Sequence, residues 1–209
     1  MRVLVADDHA VVREGLKRIL TQDQAIQVVA EAEDGAAALA RASEMDLDVV
    51  VLDMSMPGRG GLETLQELKR LWPRLGVLVL SMHPEDQYAV RVLREGADGY
   101  LSKESAAEEL ITALRKIHGG GKYVSPTLAE RLAMTVERGF EGPPHDRLST
   151  REFQVMVLLA EGKTVTQIGV ELHLSVKTIS TYRARIMEKM GMKNNAELMH
   201  YAIEEGIVC

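Results

Sequence analysis

Val49-Val50-Val51-Leu52-Asp53, residues 49–53, is a run of four apolar residues, three of them β-branched, closed by an acid. A run this short and this apolar reads as a strand buried on both faces. Three further runs share the form: Val3-Leu4-Val5-Ala6 before Asp7 and Asp8, Val77-Leu78-Val79-Leu80 before Ser81, and more weakly Gly99-Tyr100-Leu101 ahead of Lys103. Helical patterns lie between them. Strands alternating with helices predict a parallel, doubly wound α/β sheet, whose ligand site lies outside the carboxyl ends of its strands. Asp7, Asp8, Asp53, Ser81 and Lys103 all fall there, with Asp53 ending the central strand.

Three carboxylates set together repel one another unless a cation neutralises them, and an all-oxygen cluster with room for water suits Mg²⁺, or Mn²⁺ in its place. Ser81 and Lys103 add a hydroxyl and an ammonium, groups suited to the equatorial oxygens of a phosphoryl group in transfer. Asp53 is the natural acceptor. Each residue alone has an ordinary reading: Asp7 and Asp8 capping a helix from about Ala10, Ser81 capping one after Pro84, and Lys103 as a solvated lysine. Their order at successive strand ends favours the shared pocket.

The 209 residues suit two ordinary domains, and 46% hydrophobic with 27% charged residues describes a folded globular chain. No apolar run approaches a bilayer span and the start MRVLVADD lacks a leader pattern, so a cytoplasmic location with no membrane partner is expected. The single cysteine, Cys209, is the last residue, which rules out an intramolecular disulfide and reads as incidental. The net charge of −6 is uneven. Residues 1–145 carry 17 basic and 23 acidic side chains, whereas residues 146–209 carry 8 of each. If the second part binds DNA, its positive charge must be gathered on one face.

The expected division is a first domain over 1–120, a linker over 121–145 with a helix near 126–138, and a second domain over 146–209. A helix over 106–118 ends at Gly119-Gly120-Gly121, and Gly142-Pro143-Pro144 marks the linker. Beyond Leu148 every segment reads as helix. Ser149 with Glu152 signals an N-terminus for a helix over 151–161. Segments over 165–172 and from about 175, joined at His173-Leu174, suggest a helix-turn-helix, and a last helix covers 195–205. In the third of these helices Ile179, Tyr182, Ile186 and Met190 fall inward. Ser180, Thr181 and Ala184 are short enough to let it sink into a major groove, where hydroxyls reach base edges and a methyl meets a thymine methyl. Lys177, Arg183, Arg185 and Lys189 flank that strip for phosphates. In the last helix Leu198, Met199, Ala202 and Ile203 form a stripe that either finishes the domain core or pairs with a twin.

These residues resemble two families. The first part resembles the flavodoxin-like (βα)5 receiver domain of two-component response regulators, matched by Asp7, Asp8, Asp53, Ser81 and Lys103. Residues 148–207 resemble the small all-α LuxR-type helix-turn-helix of NarL/FixJ regulators, matched by Arg151-Glu152, Gly162, Ile168, Leu174-Ser175 and Lys177-Thr178-Ile179. The resemblance implies phosphorylation of Asp53 by a sensor histidine kinase, with Tyr100 as a switch and the backbone carbonyl of Ser55 completing the metal shell. It also implies DNA contacts spanning Lys177, Thr178, Ser180, Thr181, Tyr182, Arg183, Ala184, Arg185 and Lys189. A homodimer formed on activation, through Leu198, Met199 and Ala202, is implied as well, and RNA polymerase as a further partner. Such a chain is not an enzyme beyond its own phosphoryl transfer and dephosphorylation. Glu104 stands where receivers commonly have proline, which excludes a cis X-Pro bond there. Thr164-Val165-Thr166 replaces a common Ser-Asn-Lys, Ser180 a common lysine and Tyr182 a common histidine, so target choice should differ.

Two rivals are weighed. A haloacid-dehalogenase-like phosphatase carries a second aspartate two residues after its nucleophile, and here that place is Ser55; nor is there a Gly-rich nucleotide loop. A regulator working without phosphorylation has no need of the intact acidic pocket.

Overall fold

The computed structural model describes residues 1–57, 60–82, 85–126, 128–130 and 143–208. The chain divides into two compact units, the division falling between Glu130 and Pro143.

The first unit is a five-stranded parallel sheet, β1 (Arg2–Ala6), β2 (Gln27–Ala32), β3 (Val49–Asp53), β4 (Gly76–Ser81) and β5 (Gly99–Ser102), in the order β2-β1-β3-β4-β5. Strand β3 is central and pairs with β1 on one side (Leu4 beside Val50) and β4 on the other (Asp53 beside Leu80). This brings the ends of β1 and β3 together and accounts for two-sided burial of the apolar runs. Helices α1 (Ala10–Leu20) and α5 (Ala106–His118) cover the face carrying Val3, Val5, Val49, Val51, Leu78 and Leu80, where Leu16, Leu20, Leu110 and Leu114 are buried. Alternate positions Leu4, Val50, Leu52, Val77, Val79 and Tyr100 point to the other face and are equally buried. Helices α2 (Gly35–Glu44), α3 (Gly61–Leu71) and α4 (Glu85–Arg94) connect the strands on that side.

Edge strand β2 has no counterpart among the four apolar runs, because Gln27 and Glu31 are exposed and its middle is half-buried. One close approach fixes the ligand end of β3. A Cβ on Gly61 would stand 2.4 Å from the Asp53 carbonyl oxygen, so only glycine lets α3 begin directly against the strand that carries Asp53.

The first unit does not stop at Gly120. Tyr123 forms a parallel bridge to Gly99, donates its N–H to the Asp98 carbonyl and joins the apolar core. Ser125 then starts the expected helix at 126, its hydroxyl accepting from Leu128 N–H, and Leu128 is buried. The rest of the helix expected over 126–138, with Leu132 and Val136, lies outside the described residues, as do Gly142 of the linker, Pro84 and Cys209.

The second unit opens with a 3-10 turn, Pro144–Arg147, followed by α6 (Thr150–Ala160), α7 (Val165–Glu171), α8 (Val176–Met190) and α9 (Asn195–Glu204). Their side-chain N-caps, Ser149, Thr164, Ser175 and Asn194, each accept a backbone N–H three residues on. The α7–α8 turn is tight. His173 adopts a left-handed φ of 53°, and the Leu174 carbonyl would lie 2.8 Å from a Cβ on Gly169. The turn closes because Gly169 has none. Among the described residues no helix is long and apolar enough to cross a membrane.

Candidate functional site

The ends of β1 and β3 place Asp7 and Asp53 in the interior, each 1% exposed. Lys103, one residue beyond β5, inserts its ammonium between them, 2.7 Å from Asp7 Oδ2 and 3.1 Å from Asp53 Oδ2. The Lys103 backbone N–H donates to the Ser81 carbonyl at 2.8 Å, so buried Ser81 holds the lysine's base in position. The Arg13 guanidinium donates to the Asp7 carbonyl from α1. Asp8 is only partly covered, and Ser55 is exposed in the turn after β3. Tyr100 is fully buried on β5.

The electrostatics are unbalanced. Among the described residues, Asp53 Oδ1 has no well-formed hydrogen-bond partner, and Oδ2 has the Lys103 ammonium only as an ion-pair neighbour. Burial pushes the Asp53 carboxyl above the ordinary aspartate range and the charge of Asp7 adds to this, while Lys103 and the backbone N–H of Ser55 oppose it. Lys103 is affected the other way: burial alone would lower it, but hydrogen bonding to Asp7 and the charges of Asp53 and Asp7 raise it, so it stays an ammonium. One cation among three carboxylates leaves a site short of positive charge. Oxygen atoms of Asp7, Asp8 and Asp53 and a nitrogen of His9 lie within 4.8 Å of one another, which suits a single divalent ion. His9 was not anticipated, since an exposed histidine before a helix carries no signal of its own.

In the second unit, Ile179, Ile186 and Met190 are buried and Tyr182 is half-buried, while Lys177, Ser180, Thr181, Ala184 and Arg185 are exposed on α8. The hydroxyls of Ser180 and Thr181 donate to the carbonyls of Val176 and Lys177, leaving oxygen lone pairs outward. Thr178 is half-buried and within 2.8 Å of the Ser175 hydroxyl. Two of the expected phosphate contacts are held within the domain. Arg183 is half-buried and donates to Asn195 Oδ1 at 2.7 Å, and the Lys189 ammonium lies 2.6 Å from Glu152 Oε2. Val176, exposed at the start of α8, is an apolar contact that the polar strip alone did not suggest.

In the last helix, whose stripe was expected either to finish the domain core or to pair with a twin, Leu198 and Ala202 are fully buried where α9 packs along α6, so they complete the domain core. Met199 is half-buried; Ile203 stays 53% exposed.

The response regulator receiver domain family matches residues 3–115, and the luxR family of bacterial regulatory proteins matches residues 146–202. This chain belongs to the NarL/FixJ family of response regulators. It is 39% identical to the response regulator GacA of Pseudomonas aeruginosa, over all of this chain and 98% of that protein. RcsB from Salmonella enterica serovar Typhimurium, solved on promoter rprA with the phosphomimetic BeF3⁻, has a TM-score of 0.68 and 33% identity, covering 96% of this chain and 97% of RcsB. A structure of two RcsB dimers on two parallel DNAs has a TM-score of 0.61 and 32% identity, covering 96% of each chain. The response regulator is therefore a two-component transcription regulator with a LuxR-type DNA-binding domain.

Proposed function

We propose that Asp53 accepts a phosphoryl group from the phosphohistidine of a sensor kinase, and that this controls dimerisation and binding to specific DNA. The carrying observation is Asp53 itself: a buried carboxylate at a sheet rim, with an oxygen that has no well-formed hydrogen-bond partner among the described residues and a lysine ammonium alongside. A carboxylate oxygen of Asp53 attacks phosphorus as the P–N bond to the kinase histidine breaks. Lys103 is placed to hold the developing charge, with the Ser81 hydroxyl as a second contact. Asp7, Asp8, Asp53 and the Ser55 carbonyl would hold Mg²⁺ or Mn²⁺, which would supply charge neutralisation at the acids. Hydrolysis of the aspartyl phosphate resets the site. Buried Tyr100 is the switch side chain on β5, and phosphorylation must favour one receiver state over the other by several times RT to act as a switch.

On DNA, α8 lies in the major groove. Ser180, Thr181, Ala184 and Val176 meet base edges and methyls, and Lys177, Thr178, Tyr182 and Arg185 meet the backbone or its border. Arg183 and Lys189 serve first to hold α8 to its neighbours, and reach phosphates only at the cost of those contacts. Because the domain has no net positive charge, full affinity needs two copies, with Met199 and Ile203 replacing Leu198 and Ala202 as the apolar contact between them. Location in the cytoplasm and action on RNA polymerase complete the reading.

The test is mass spectrometry after treatment with a small phosphodonor and Mg²⁺, followed by DNA selection with and without phosphorylation. Label confined to Asp53 and tighter, two-half-site binding are expected. Full labelling of Asp53→Asn, or identical DNA binding in both states, contradicts the proposal.

A further inference from the structure

The metal-side residues at the end of β1 include one that an all-oxygen site does not need. His9 is the N-cap residue of α1, yet its side chain makes no capping hydrogen bond. Its backbone N–H instead donates to Asp7 Oδ1 at 2.8 Å, which turns the chain back over the acids. The imidazole Nδ1 then stands 2.7 Å from Asp8 Oδ1 and 3.5 Å from Asp7 Oδ1. The ring is 67% exposed, so burial does not hold it there.

With no ion bound the 2.7 Å contact is an ion pair with Asp8, and the four ligand atoms need only a small contraction to share one cation. Atoms on adjacent corners of an octahedron with bonds of roughly 2.1 Å stand about 3 Å apart, and those on opposite corners about 4.2 Å. The four ligand atoms of Asp7, Asp8, His9 and Asp53 lie within 4.8 Å of one another. A second feature points to a ligand independently of the acids' proximity: Asp53, 1% exposed, turns into this cluster an oxygen with no well-formed partner among the described residues.

We propose that His9 Nδ1 is a direct ligand in this centre, making it a mixed nitrogen and oxygen site that favours transition-metal dications such as Mn²⁺ over Mg²⁺. Imidazole is a softer donor than carboxylate or water and gains more from first-row transition metals than from Mg²⁺. This rests on the metal-site reading of Asp7, Asp8 and Asp53 and adds to it a donor and a selectivity. The consequence is that the cation loaded, and with it the rate at which Asp53 is charged, follows the ratio of available Mn²⁺ to Mg²⁺.

Pulsed electron paramagnetic resonance of Mn²⁺ bound to the full-length protein reads the nitrogen directly. Imidazole ¹⁴N couplings are expected in the wild type and should vanish in His9→Ser, which keeps a good N-cap residue. Calorimetry should show Mn²⁺ affinity falling about tenfold in His9→Ser while Mg²⁺ affinity changes by less than about twofold. Mn²⁺ bound without imidazole coupling, or coupling that persists in His9→Ser, overturns the ligand role while leaving the acidic site standing. Mn²⁺ binding unaffected by Asp8→Asn overturns both.

Discussion

Each domain buries a carboxylate beside a lysine, Asp53 in the first and Glu152 in the second, and the two acids are treated in opposite ways. Glu152 is 3% exposed and fully engaged: it accepts the Ser149 N–H at 2.8 Å, closing a capping box, and the Lys189 ammonium at 2.6 Å. Burial acts to raise its pKa, but Lys189 and both groups of Ser149 outweigh it and bring the carboxyl below the ordinary glutamate range. Asp53 is buried as deeply, yet has Asp7 beside it and too few donors, and its carboxyl is raised. Glu152 locks α6 to α8. Asp53 is left short of positive charge and of hydrogen-bond donors. A satisfied buried acid is architecture; an unsatisfied one at a strand end is chemistry.

The largest effect should come from removing the ammonium that stands between Asp7 and Asp53. Lys103→Met leaves buried Asp7 and Asp53 facing each other, and the metal-free first domain should lose about 3 kcal/mol, partly restored by Mg²⁺. Hydrogen exchange by mass spectrometry on the full chain reads the two domains separately. Next, Glu152→Ala removes the capping box and the α8 tether, and the second domain should lose about 2 kcal/mol. Asp53→Asn should move stability in the other direction: relieving an unsatisfied buried charge ought to raise the first domain by about 1 kcal/mol at neutral pH while abolishing phosphorylation. A destabilised Asp53→Asn would break the contrast. The smallest effect belongs to Lys189→Ala. Its ammonium is partly exposed, so roughly 0.5 kcal/mol is expected, with less than one unit of change in the salt slope of DNA binding. A full unit would show Lys189 on a phosphate rather than on Glu152; Arg185→Ala should give that unit.

The pH dependence follows with opposite signs. Glu152 has a depressed folded pKa, so its stabilisation is present above the ordinary glutamate value and disappears as pH falls through the depressed one. Asp53 has a raised folded pKa, so the folded state binds the proton more tightly than the unfolded chain. Its contribution is present in acid and is lost as pH rises from the ordinary aspartate value through the raised one. As pH falls, the metal-free first domain should therefore gain first through Asp53, and the second domain should weaken through Glu152 only once pH drops below the ordinary glutamate value.

What could be read in the sequence divides along physical lines. The strands β1, β3, β4 and β5 are legible because burial on both faces demands continuous apolar residues, and the position of Asp7, Asp53, Ser81 and Lys103 at their ends follows from strand direction alone. Strand β2 escapes because an edge strand tolerates Gln27 and Glu31. Tyr123 looks like linker, since a single bridge to Gly99 leaves no periodic pattern. On α8 the helical period sorts inward from outward residues, but it does not show whether an outward cation is free. Arg183 and Lys189 turned out to be committed to Asn195 and Glu152, which lie 12 and 37 residues away in the chain. The α9 stripe was ambiguous for the same reason: a period gives a face, and only the packing of α6 shows that Leu198 and Ala202 are already covered.

The contrast between the two acids can be measured in one sample. A carboxyl-resolved ¹³C NMR titration of the full-length, metal-free protein should place the Asp53 midpoint above the ordinary aspartate value and the Glu152 midpoint below the ordinary glutamate value. Adding Mg²⁺ should pull Asp53 down and leave Glu152 where it is. An Asp53 midpoint at or below the ordinary value without metal, or one that ignores Mg²⁺, would contradict the account.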